Sequence, residues 1–556
     1  MTFRNLVELH RMQAELLGPR PALRFRQNGL FHDVTWADYR EQAMACAAGL
    51  VAAGVMMGDR VGLLAENRVE WLVADMGIMT AGAANVPAHA ALPAGAVAKQ
   101  LIDAGVNWLF LSNAAQVEKY QAMRAELPGI KGVVVFDRSA AAPGIQSWDG
   151  FLQQGRQALS GISAELERRE KSLGTEDLAT LMYTSGTTGV PKGVMLSHGN
   201  LLSNVEALFA LDLFDSNSMV LLSWLPYSHI FARLCDHYLH LRTGSVMALA
   251  DSLDTVPVDI QLVQPTHLHG VPRFFEKMLA AAQAAPTPEE ANKRLKYMFG
   301  RRLMWAMSGG APLPPAVGAA YHAAGVPLLQ GYGLTETSPV LTTNIPTSFR
   351  HESAGKAIPG VELKIADDGE ILARGPNIMK GYWNQPQATA AVMQGDWFAT
   401  GDVGRIDSEG FLYITGRKKD LLVLSNGKKV SPSEVEALLQ AEPCIEQAVI
   451  YGEKRSFLTA LVVPNWARVR QELKVQGTDD ELARSSAVND LLRSRINQAL
   501  AGAVHWEQVK QFVIRSQPFS VQTGELTVSL KLRREVVFQK HAAELEAAYR
   551  KGGDGE

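Results

Sequence analysis

The chain has 556 residues, of which 20% are charged and 47% hydrophobic, and its formal net charge is -3. This composition excludes intrinsic disorder, and the nearly balanced charge gives no electrostatic attraction to nucleic acid or acidic lipid. A chain of this length corresponds to roughly two to four domains.

Three cysteines, Cys46, Cys235 and Cys444, are too few for a disulfide framework and show no metal-ligand spacing, so we expect buried small apolar residues. The start, "MTFRNLVELHRMQAELLG", lacks the apolar core of a signal peptide. The most apolar long window is interrupted by charge and proline, which predicts no integral membrane segment. We therefore expect a cytoplasmic protein. The sequence leaves open whether it contacts the inner membrane surface peripherally and whether it forms a homodimer.

Apolar strands alternate with amphipathic helices along most of the chain, which is typical of layered α/β architecture. The segments "DRVGLLAEN", "VNWLFLS" and "IKGVVVFD" are predicted as buried strands. The segment "WADYREQAMACAAGLVAAG" has the periodicity of a helix.

The stretch "LMYTSGTTGVPKGVMLSHGNLL" suggests an anion-binding loop of unusual form. Gly186 and Gly189 are three residues apart and no hydroxyl follows Lys192, so the pattern is not the usual P-loop. It predicts strand, loop and strand, followed by a helix that is capped by Ser197 or Asn200. Backbone N–H groups, hydroxyls and an ammonium would hold a triphosphate there, whereas the structural alternative is a Gly/Thr hairpin. The predicted side-chain donors are Thr184, Ser185, Thr187, Thr188 and Lys192.

A compact α+β unit of about 140 residues follows the basic turn "GRKKD". Ser431 and Glu434 are spaced as a capping box at the start of a helix. "IEQAVIYG", "FLTALVVPN" and "VKQFVIRS" are predicted strands, "DDELARSSAVNDLLRSRINQALAG" a single helix, and the chain from Leu530 onward helical. The sequence thus predicts an N-terminal domain over residues 1–416 and a C-terminal domain over 417–556.

Motifs in a fixed order resemble those of the adenylate-forming superfamily, which includes acyl-CoA synthetases, peptide-synthetase adenylation domains and luciferases. In this chain they are "YTSGTTGVPKGV", "LPYSHIF", "SGGAPL", "GYGLTETSP", "ATGDVGRID", "ITGRKKD" and "LKLRR". The resemblance covers nearly the whole chain. It implies an α/β fold, with a large multi-layer N-terminal domain and a small mobile α+β C-terminal domain.

The resemblance implies a site for ATP and Mg²⁺. In it Tyr332 stacks on adenine, Thr335 contacts the α-phosphate, and Glu336 and Thr184 are the Mg²⁺ ligands, a set that suits a hard cation. Further predicted ATP contacts are Ser185, Gly186, Thr187, Thr188, Gly189, Lys192, Gly310, Gly331 and Gly333.

Asp402 and Arg417 resemble the pair that binds the ribose of the nucleotide. Lys531 resembles the catalytic lysine, which reaches the α-phosphate and the acyl carboxylate and acts with Glu336 and Thr184. The segment around it departs from the widespread pattern, because Leu530 stands where glycine is common. From the residues alone, Lys531 is one cation on a basic helix.

The resemblance also implies a second half-reaction with CoA. Lys419 takes the hinge position about which the small domain rotates, and Gly427 and Lys428 line the thiol tunnel. Lys428 is equally consistent with a solvated charge.

"HLHGVPRFFEKM" and "SNGKKVSP" resemble bacterial long-chain fatty acyl-CoA synthetases. Gly270, Val271, Gly309 and His229 are accordingly predicted to form the acyl pocket, with ordinary packing as the alternative. His229 is interpreted as a wall or gate, because a carboxylate is already ionised at neutral pH and needs no base.

The predicted reaction is activation of a fatty acid, of medium to long chain, to acyl-adenylate with release of pyrophosphate, and then transfer to CoA. Two alternatives of the same chemistry are a fatty acyl-AMP ligase and an enzyme that loads an acyl carrier protein. A non-catalytic nucleotide-binding regulator and a luciferase-like oxygenase are alternatives of other classes. The intact Thr184, Glu336, Asp402 and Lys531 speak against a regulator.

Overall fold

The computed structural model describes residues 3–184, 191–211, 213–214, 219–520, 522–526 and 532–552. The chain divides into two compact units. The large unit comprises Met1–Lys364, Leu372–Thr400 and Ser408–Leu412, and the small unit comprises Ile365–Ile371, Gly401–Asp407 and Tyr413–Glu556. The α/β class with a large and a smaller part is confirmed, while the domain boundary after residue 416 and the mobility of the smaller part stay predictions.

Twenty-seven strands occur among the described residues. In chain order they are β1 Pro21–Gln27, β2 Leu30–Thr35, β3 Arg60–Leu64, β4 Ala84–Ala88, β5 Trp108–Leu111, β6 Gly132–Val135, β7 Gln146–Ser147, β8 Leu178–Thr184, β9 Lys192–Ser197, β10 Val220–Ser223, β11 Val246–Leu249, β12 His267–Gly270, β13 Trp305–Ser308, β14 Leu328–Gly333, β15 Val340–Thr343, β16 Lys356–Ala357, β17 Glu362–Ile365, β18 Glu370–Arg374, β19 Gly381–Tyr382, β20 Met393–Gln394, β21 Trp397–Ile406, β22 Leu412–Arg417, β23 Leu422–Val423, β24 Lys429–Val430, β25 Ile445–Tyr451, β26 Leu458–Pro464 and β27 Val509–Ile514.

The α-helices of the described ranges are α1 Leu6–Leu17, α2 Trp36–Ala52, α3 Val69–Thr80, α4 Ala94–Ala104, α5 Ala114–Met123, α6 Trp148–Ser172, α7 His198–Phe209, α8 Ile230–Ala232, α9 Leu239–Thr243, α10 Val256–Val263, α11 Pro272–Gln283, α12 Pro288–Met298, α13 Pro315–Ala323, α14 Pro386–Val392, α15 Pro432–Gln440, α16 Trp466–Leu473, α17 Asp479–Leu482, α18 Ser486–Ala499, α19 Arg534–Lys540 and α20 Ala542–Gly552. A π-helical segment, Arg233–Tyr238, joins α8 to α9, and a 3-10 turn covers Thr335–Thr337.

Two large sheets organise the large unit. A nine-stranded sheet has the order β16-β15-β14-β13-β12-β10-β11-β1-β2, and an eight-stranded sheet has the order β19-β9-β8-β4-β3-β5-β6-β7. Their central strands are parallel, so the carboxyl ends within each parallel stretch meet at one edge. The predicted strands near residues 60, 108 and 132, the predicted helix α2 and the burial of all three cysteines are confirmed.

The predicted strand, loop and strand near residue 185 are confirmed on both sides of the loop. β8 and β9 pair as an antiparallel hairpin in which Thr184 lies opposite Lys192. Ser197 then caps α7 by accepting a hydrogen bond from the Asn200 N–H at 3.1 Å, and Asn200 accepts one in return from the Ser197 N–H. The helix therefore begins six residues after the second strand starts, too late for its dipole to act on the loop.

The small unit contains the predicted strands β25, β26 and β27 in one sheet, but three local predictions are wrong. Ser431 precedes α15 without capping it, because its hydroxyl donates to the Thr415 carbonyl instead. The single helix predicted from residue 479 breaks into α17 and α18. The last helical stretch begins at Arg534, since Leu532 forms an antiparallel bridge with Leu526.

A buried ion pair ties the two sheets of the large unit together. The Arg233 guanidinium donates to Asp75 of α3 and, at 2.6 Å, to the hydroxyl of Thr180 in β8. Asn85 of β4 donates to the same Asp75 carboxylate at 2.6 Å. Burial by itself raises the pKa of Asp75, but the charge of Arg233, with contributions from His237 and Asn85, outweighs it and holds the pKa at about 2.

Replacement of this carboxylate should destabilise the large unit. We predict that Asp75→Asn lowers the free energy of unfolding by about 3 kcal/mol, because Arg233 keeps its buried charge without a counter-ion. Urea unfolding followed by tryptophan fluorescence measures the change. Asp33→Asn is the matched control: it breaks an exposed pair with Arg24 at 2.7 Å and should cost less than about 1 kcal/mol.

The same pair predicts a pH dependence. An unfolded Asp protonates near a pKa of about 3.9, whereas folded Asp75 protonates at about 2, so its contribution is present above pH ~4 and is lost between about 4 and 2. Acid titration of stability should show this component in the native chain and lack it in Asp75→Asn. Identical acid profiles would contradict the assignment.

Candidate active site

Among the described residues, the predicted site glycines from Gly270 to Gly333 lie at one sheet edge. Gly270 ends β12, Gly309 follows β13, and Gly331 to Gly333 end β14, on neighbouring parallel strands. The Gly309 N–H donates to the Gly270 carbonyl at 3.1 Å. The structure thus brings together residues that are separated by about 60 positions in sequence, at the edge where open α/β sheets bind ligands.

Aromatic rings crowd the part of this edge that is predicted to face the acyl group. A Cβ at Gly309 would lie 2.8 Å from the Phe231 ring, and one at Gly270 would lie 2.8 Å from Phe275 and 3.3 Å from Trp224. Glycine is therefore required at both positions for the rings to approach the backbone. Val271 follows as the residue before α11 and packs, partly buried, against the main core. Phe231 and Trp224 were missed by the sequence prediction.

The part of the edge that is predicted to face the nucleotide is formed by β14 and the turn after it. Tyr332 is half-buried in β14 opposite Thr342, and Gly310 follows the neighbouring strand with φ +80°. A Cβ at Gly333 would lie 1.7 Å from the Pro339 carbonyl oxygen, so Gly333 has a structural reason to be glycine besides its predicted role. Thr335 and Glu336 lie in the 3-10 turn that follows.

Tyr382 connects that turn to the hairpin of β8 and β9. Its hydroxyl donates to the Glu336 carboxylate at 2.9 Å, and its backbone pairs with Val194 of β9. The Lys192 ammonium lies 4.7 Å from the centre of its ring, in cation–π contact. Burial and the Glu336 charge both raise the pKa of Tyr382, so the hydroxyl stays protonated and donates.

The sequence prediction missed Tyr382. Its strand, β19, contains only Gly381 and Tyr382, which is too short to show a periodicity. Its pairing with β9 and its contacts with Glu336 and Lys192 form only in the folded chain.

Thr184 and Glu336 are the predicted metal ligands. β9, which faces Thr184 across the hairpin, lies against the turn that contains Glu336. No three His, Cys, Asp or Glu side chains of the described ranges form a metal-binding group. A hydroxyl and one carboxylate fit a hard cation such as Mg²⁺, which commonly completes its shell with phosphate oxygens and water.

His229 lies in a turn that faces the other sheet. Its N–H donates to the Pro226 carbonyl at 3.0 Å, and its ring centre lies 5.3 Å from that of His89, which follows β4. Burial and the nearby Lys119 lower the pKa of His89. Its Nδ1 accepts a hydrogen bond from the Ala91 N–H at 3.1 Å, so the ring is a neutral imidazole.

The predicted ribose-binding pair comes together within the small unit. Arg417 Nε lies 3.0 Å from an Asp402 carboxylate oxygen. Asp402 is 5% exposed, whereas the Arg417 side chain is 45% exposed, so the guanidinium retains access to a ligand. Asp402 belongs to the part of the small unit contributed by Gly401–Asp407.

The predicted hinge and tunnel residues lie in two turns of the small unit. Lys419 is in a turn closed by the Asp420 and Leu421 N–H groups, which both donate to the Arg417 carbonyl. Gly427 has φ +78° in the turn between β23 and β24. Lys428 is exposed, and its ammonium lies 4.6 Å from the Trp506 ring centre.

Several predicted residues lie outside the described residues: Ser185, Gly186, Thr187, Thr188, Gly189 and Lys531. The chain on the carboxyl side of Lys531 is anchored in the small unit. Arg534 forms two hydrogen bonds of 2.5 Å with the Glu436 carboxylate, and the Arg533 N–H donates to the Glu525 carbonyl at 2.8 Å.

No helix of the described ranges is both long and apolar enough to cross a bilayer.

Comparison with known proteins agrees with this arrangement. The family model for AMP-binding enzymes matches residues 11–383, and a model for the AMP-binding enzyme C-terminal domain matches residues 419–553. The long-chain-fatty-acid–CoA ligase FadD15 of Mycobacterium bovis is 33% identical over 94% of this chain and 93% of its own length.

Two solved structures are similar in fold. ATP-bound MatB from Rhodopseudomonas palustris is 25% identical with a TM-score of 0.75, covering 97% of this chain and 99% of its own. The anthranilate CoA ligase AuaEII, in complex with anthranoyl-AMP, is 21% identical with a TM-score of 0.78, covering 99% of both chains. Since the family models match both the strand-end site and the carboxy-terminal strands and helices, the chain belongs to the AMP-binding enzyme family.

Proposed function

We propose that the protein activates a fatty acid with ATP and transfers the acyl group to CoA. The carboxylate attacks the α-phosphorus of ATP, which forms acyl-adenylate and releases pyrophosphate. The CoA sulfur then attacks the acyl carbon, which forms the thioester and releases AMP, while the thiol proton passes to solvent. FadD15, the relative named as a long-chain-fatty-acid–CoA ligase, supports a fatty substrate of long chain.

One observation carries the ATP-dependent half-reaction. Tyr382 contacts both the Glu336 carboxylate and the Lys192 ammonium, so an anion-binding hairpin lies beside the acidic turn that follows β14. A cation and a carboxylate kept apart by a neutral ring suit a phosphate chain and its counter-ion, because each charge stays available to its own ligand. The ATP-bound relative MatB is consistent with this use of the site.

The roles of the individual residues follow from the charge that develops during attack. Negative charge accumulates on the phosphoryl oxygens, and preorganised cations and N–H donors stabilise it. We assign this role to Lys192, Thr335 and Lys531. Mg²⁺, when bound by the Thr184 hydroxyl and the Glu336 carboxylate, neutralises phosphate charge.

We assign binding of the ribose, and of the CoA that brings the thiol, to residues of the small unit. The Asp402 carboxylate is proposed to accept hydrogen bonds from the ribose hydroxyls, and Arg417 keeps its charge beside it. Lys419 is proposed as the pivot between the two half-reactions, and Gly427 and Lys428 as contacts of CoA. The Trp506 ring under Lys428 supports an oriented ammonium at that place.

The overall proposal predicts pyrophosphate release that depends on both fatty acid and ATP. Purified protein is assayed with acids of increasing chain length, with CoA or an acyl carrier protein as acceptor. We expect acyl-CoA and AMP in equal amounts. If thioester forms only on the carrier protein, the acceptor is the carrier protein and not CoA. If pyrophosphate release does not depend on the fatty acid, the proposed activity is rejected.

Lys531→Ala should separate the half-reactions. We expect adenylation to fall by roughly a hundredfold or more, since a cation that stabilises transition-state charge contributes on the order of 3 kcal/mol. Conversion of supplied acyl-adenylate to acyl-CoA should stay near the native rate. Equal losses in both steps would show that Lys531 has another role.

Tyr382→Phe should weaken adenylation while the ring under Lys192 remains. Loss of one hydrogen bond to a carboxylate predicts a roughly tenfold lower rate and a higher Mg²⁺ requirement. Tyr183→Phe is the matched control, because that residue lies on β8, which pairs with the other side of β9, and its hydroxyl donates to Asp103 at 2.5 Å. Equal effects of the two variants on the Mg²⁺ dependence would refute the position assigned to Tyr382.

A further inference from the structure

Asn67 connects the two large sheets at the turn that contains His229. It follows β3 of the eight-stranded sheet, whereas the turn follows β10 of the nine-stranded sheet. We infer that Asn67 is a positioning residue that fixes this turn at the acyl site and thereby sets the affinity for the fatty acid. The inference rests on the proposed function, since it names the substrate that the turn would contact.

The side-chain amide of Asn67 both donates and accepts a hydrogen bond with the backbone of the turn. Its Nδ2 donates to the Leu225 carbonyl at 2.6 Å, and its Oδ1 accepts from the Tyr227 N–H at 3.1 Å. The residue between them is Pro226, which has no N–H to offer. One planar amide thus holds the backbone on both sides of the proline.

Further contacts hold the far end of the turn. The Tyr227 hydroxyl donates to Ser223 at 2.8 Å, and the His229 N–H closes the turn on the Pro226 carbonyl. The His89 ring, which follows β4 of the eight-stranded sheet as Asn67 follows β3, packs against His229. The bonds within the turn fix its shape. Asn67, His89 and the buried Tyr227 ring, whose centre lies 5.1 Å from that of Trp71, hold its position.

The position of the turn also sets the position of the next aromatic ring in the chain. Phe231 comes two residues after His229, and its ring lies where a Cβ at Gly309 would be 2.8 Å away. Movement of the turn would shift His229 and Phe231 at the acyl-side edge. The hairpin, Tyr382 and Glu336 are held by other bonds, so the ATP side should not respond.

The chemistry requires an amide at this position. Aspartate has nearly the same shape but no donor, so a carboxylate oxygen would face the Leu225 carbonyl at hydrogen-bond distance. A buried acceptor without its donor costs free energy, and the turn would move to relieve it. Asn67→Asp thus replaces the Nδ2 donor by an acceptor oxygen and leaves the side-chain volume nearly constant.

The test compares Michaelis constants for the two substrates. In the full-length protein, Asn67→Asp and Asn67→Ala should each raise KM for a long-chain fatty acid about tenfold. KM for ATP should stay within about twofold, and ATP binding by calorimetry without fatty acid should be unchanged. Asn107→Asp is the matched control. Asn107 donates to Asp59 at 2.7 Å and lies before β5, at the amino ends of the strands, whereas Asn67 follows β3 at their carboxyl ends.

The outcomes are distinguishable. Asn107→Asp should leave both KM values unchanged, because it lies away from the turn. A native fatty-acid KM in Asn67→Asp, or a parallel rise of both KM values in Asn67→Ala, would overturn the positioning role. Absence of acyl-CoA formation by the native chain would instead reject the proposed function. If Asn67→Asp does not fold, the Asn67→Ala comparison decides alone.

Discussion

The buried contact between Arg233 and Asp75 is the interaction on which the large unit depends. Arg233 comes from the segment after β10 of one sheet, whereas Thr180, which it also contacts, belongs to a strand of the other. The fully buried Arg233 guanidinium requires its carboxylate. A shift of either sheet would leave a buried charge without its counter-ion. Thr180 lies four residues before Thr184, and the network thereby fixes the strand that leads into the loop proposed to bind the triphosphate.

Each of the two sheets positions a different set of the proposed site residues. The nine-stranded sheet presents glycine-rich strand ends, where backbone and aromatic rings approach each other closely. The eight-stranded sheet presents the hairpin with Lys192, and β19 joins that hairpin to the acidic turn. No general base is needed, because the attacking carboxylate is already ionised. In the proposed reaction the strand ends would act by holding charges in fixed positions.

The ring of Tyr382 and the amide of Asn67 have comparable tasks on the two sides of the site. Each connects elements that are distant in sequence, by 46 residues for Tyr382 and Glu336 and by 158 for Asn67 and Leu225. Each also offers a neutral donor rather than a charge. A neutral connector holds geometry without altering the field that the phosphates and the carboxylate would experience.

The sequence by itself determined the elements with strong local signals. These are the early strands, α2, the β8 and β9 hairpin and the Ser197 cap, since each depends on residues within a few positions of one another. The motif order also determined the family and most of the proposed site residues. Only the tertiary structure decided that Ser431 bonds to Thr415 instead of capping α15, that Tyr382 contacts Glu336, and that Asn67 contacts the turn that contains His229. Their partners are far along the chain, and packing alone brings such groups within hydrogen-bond distance.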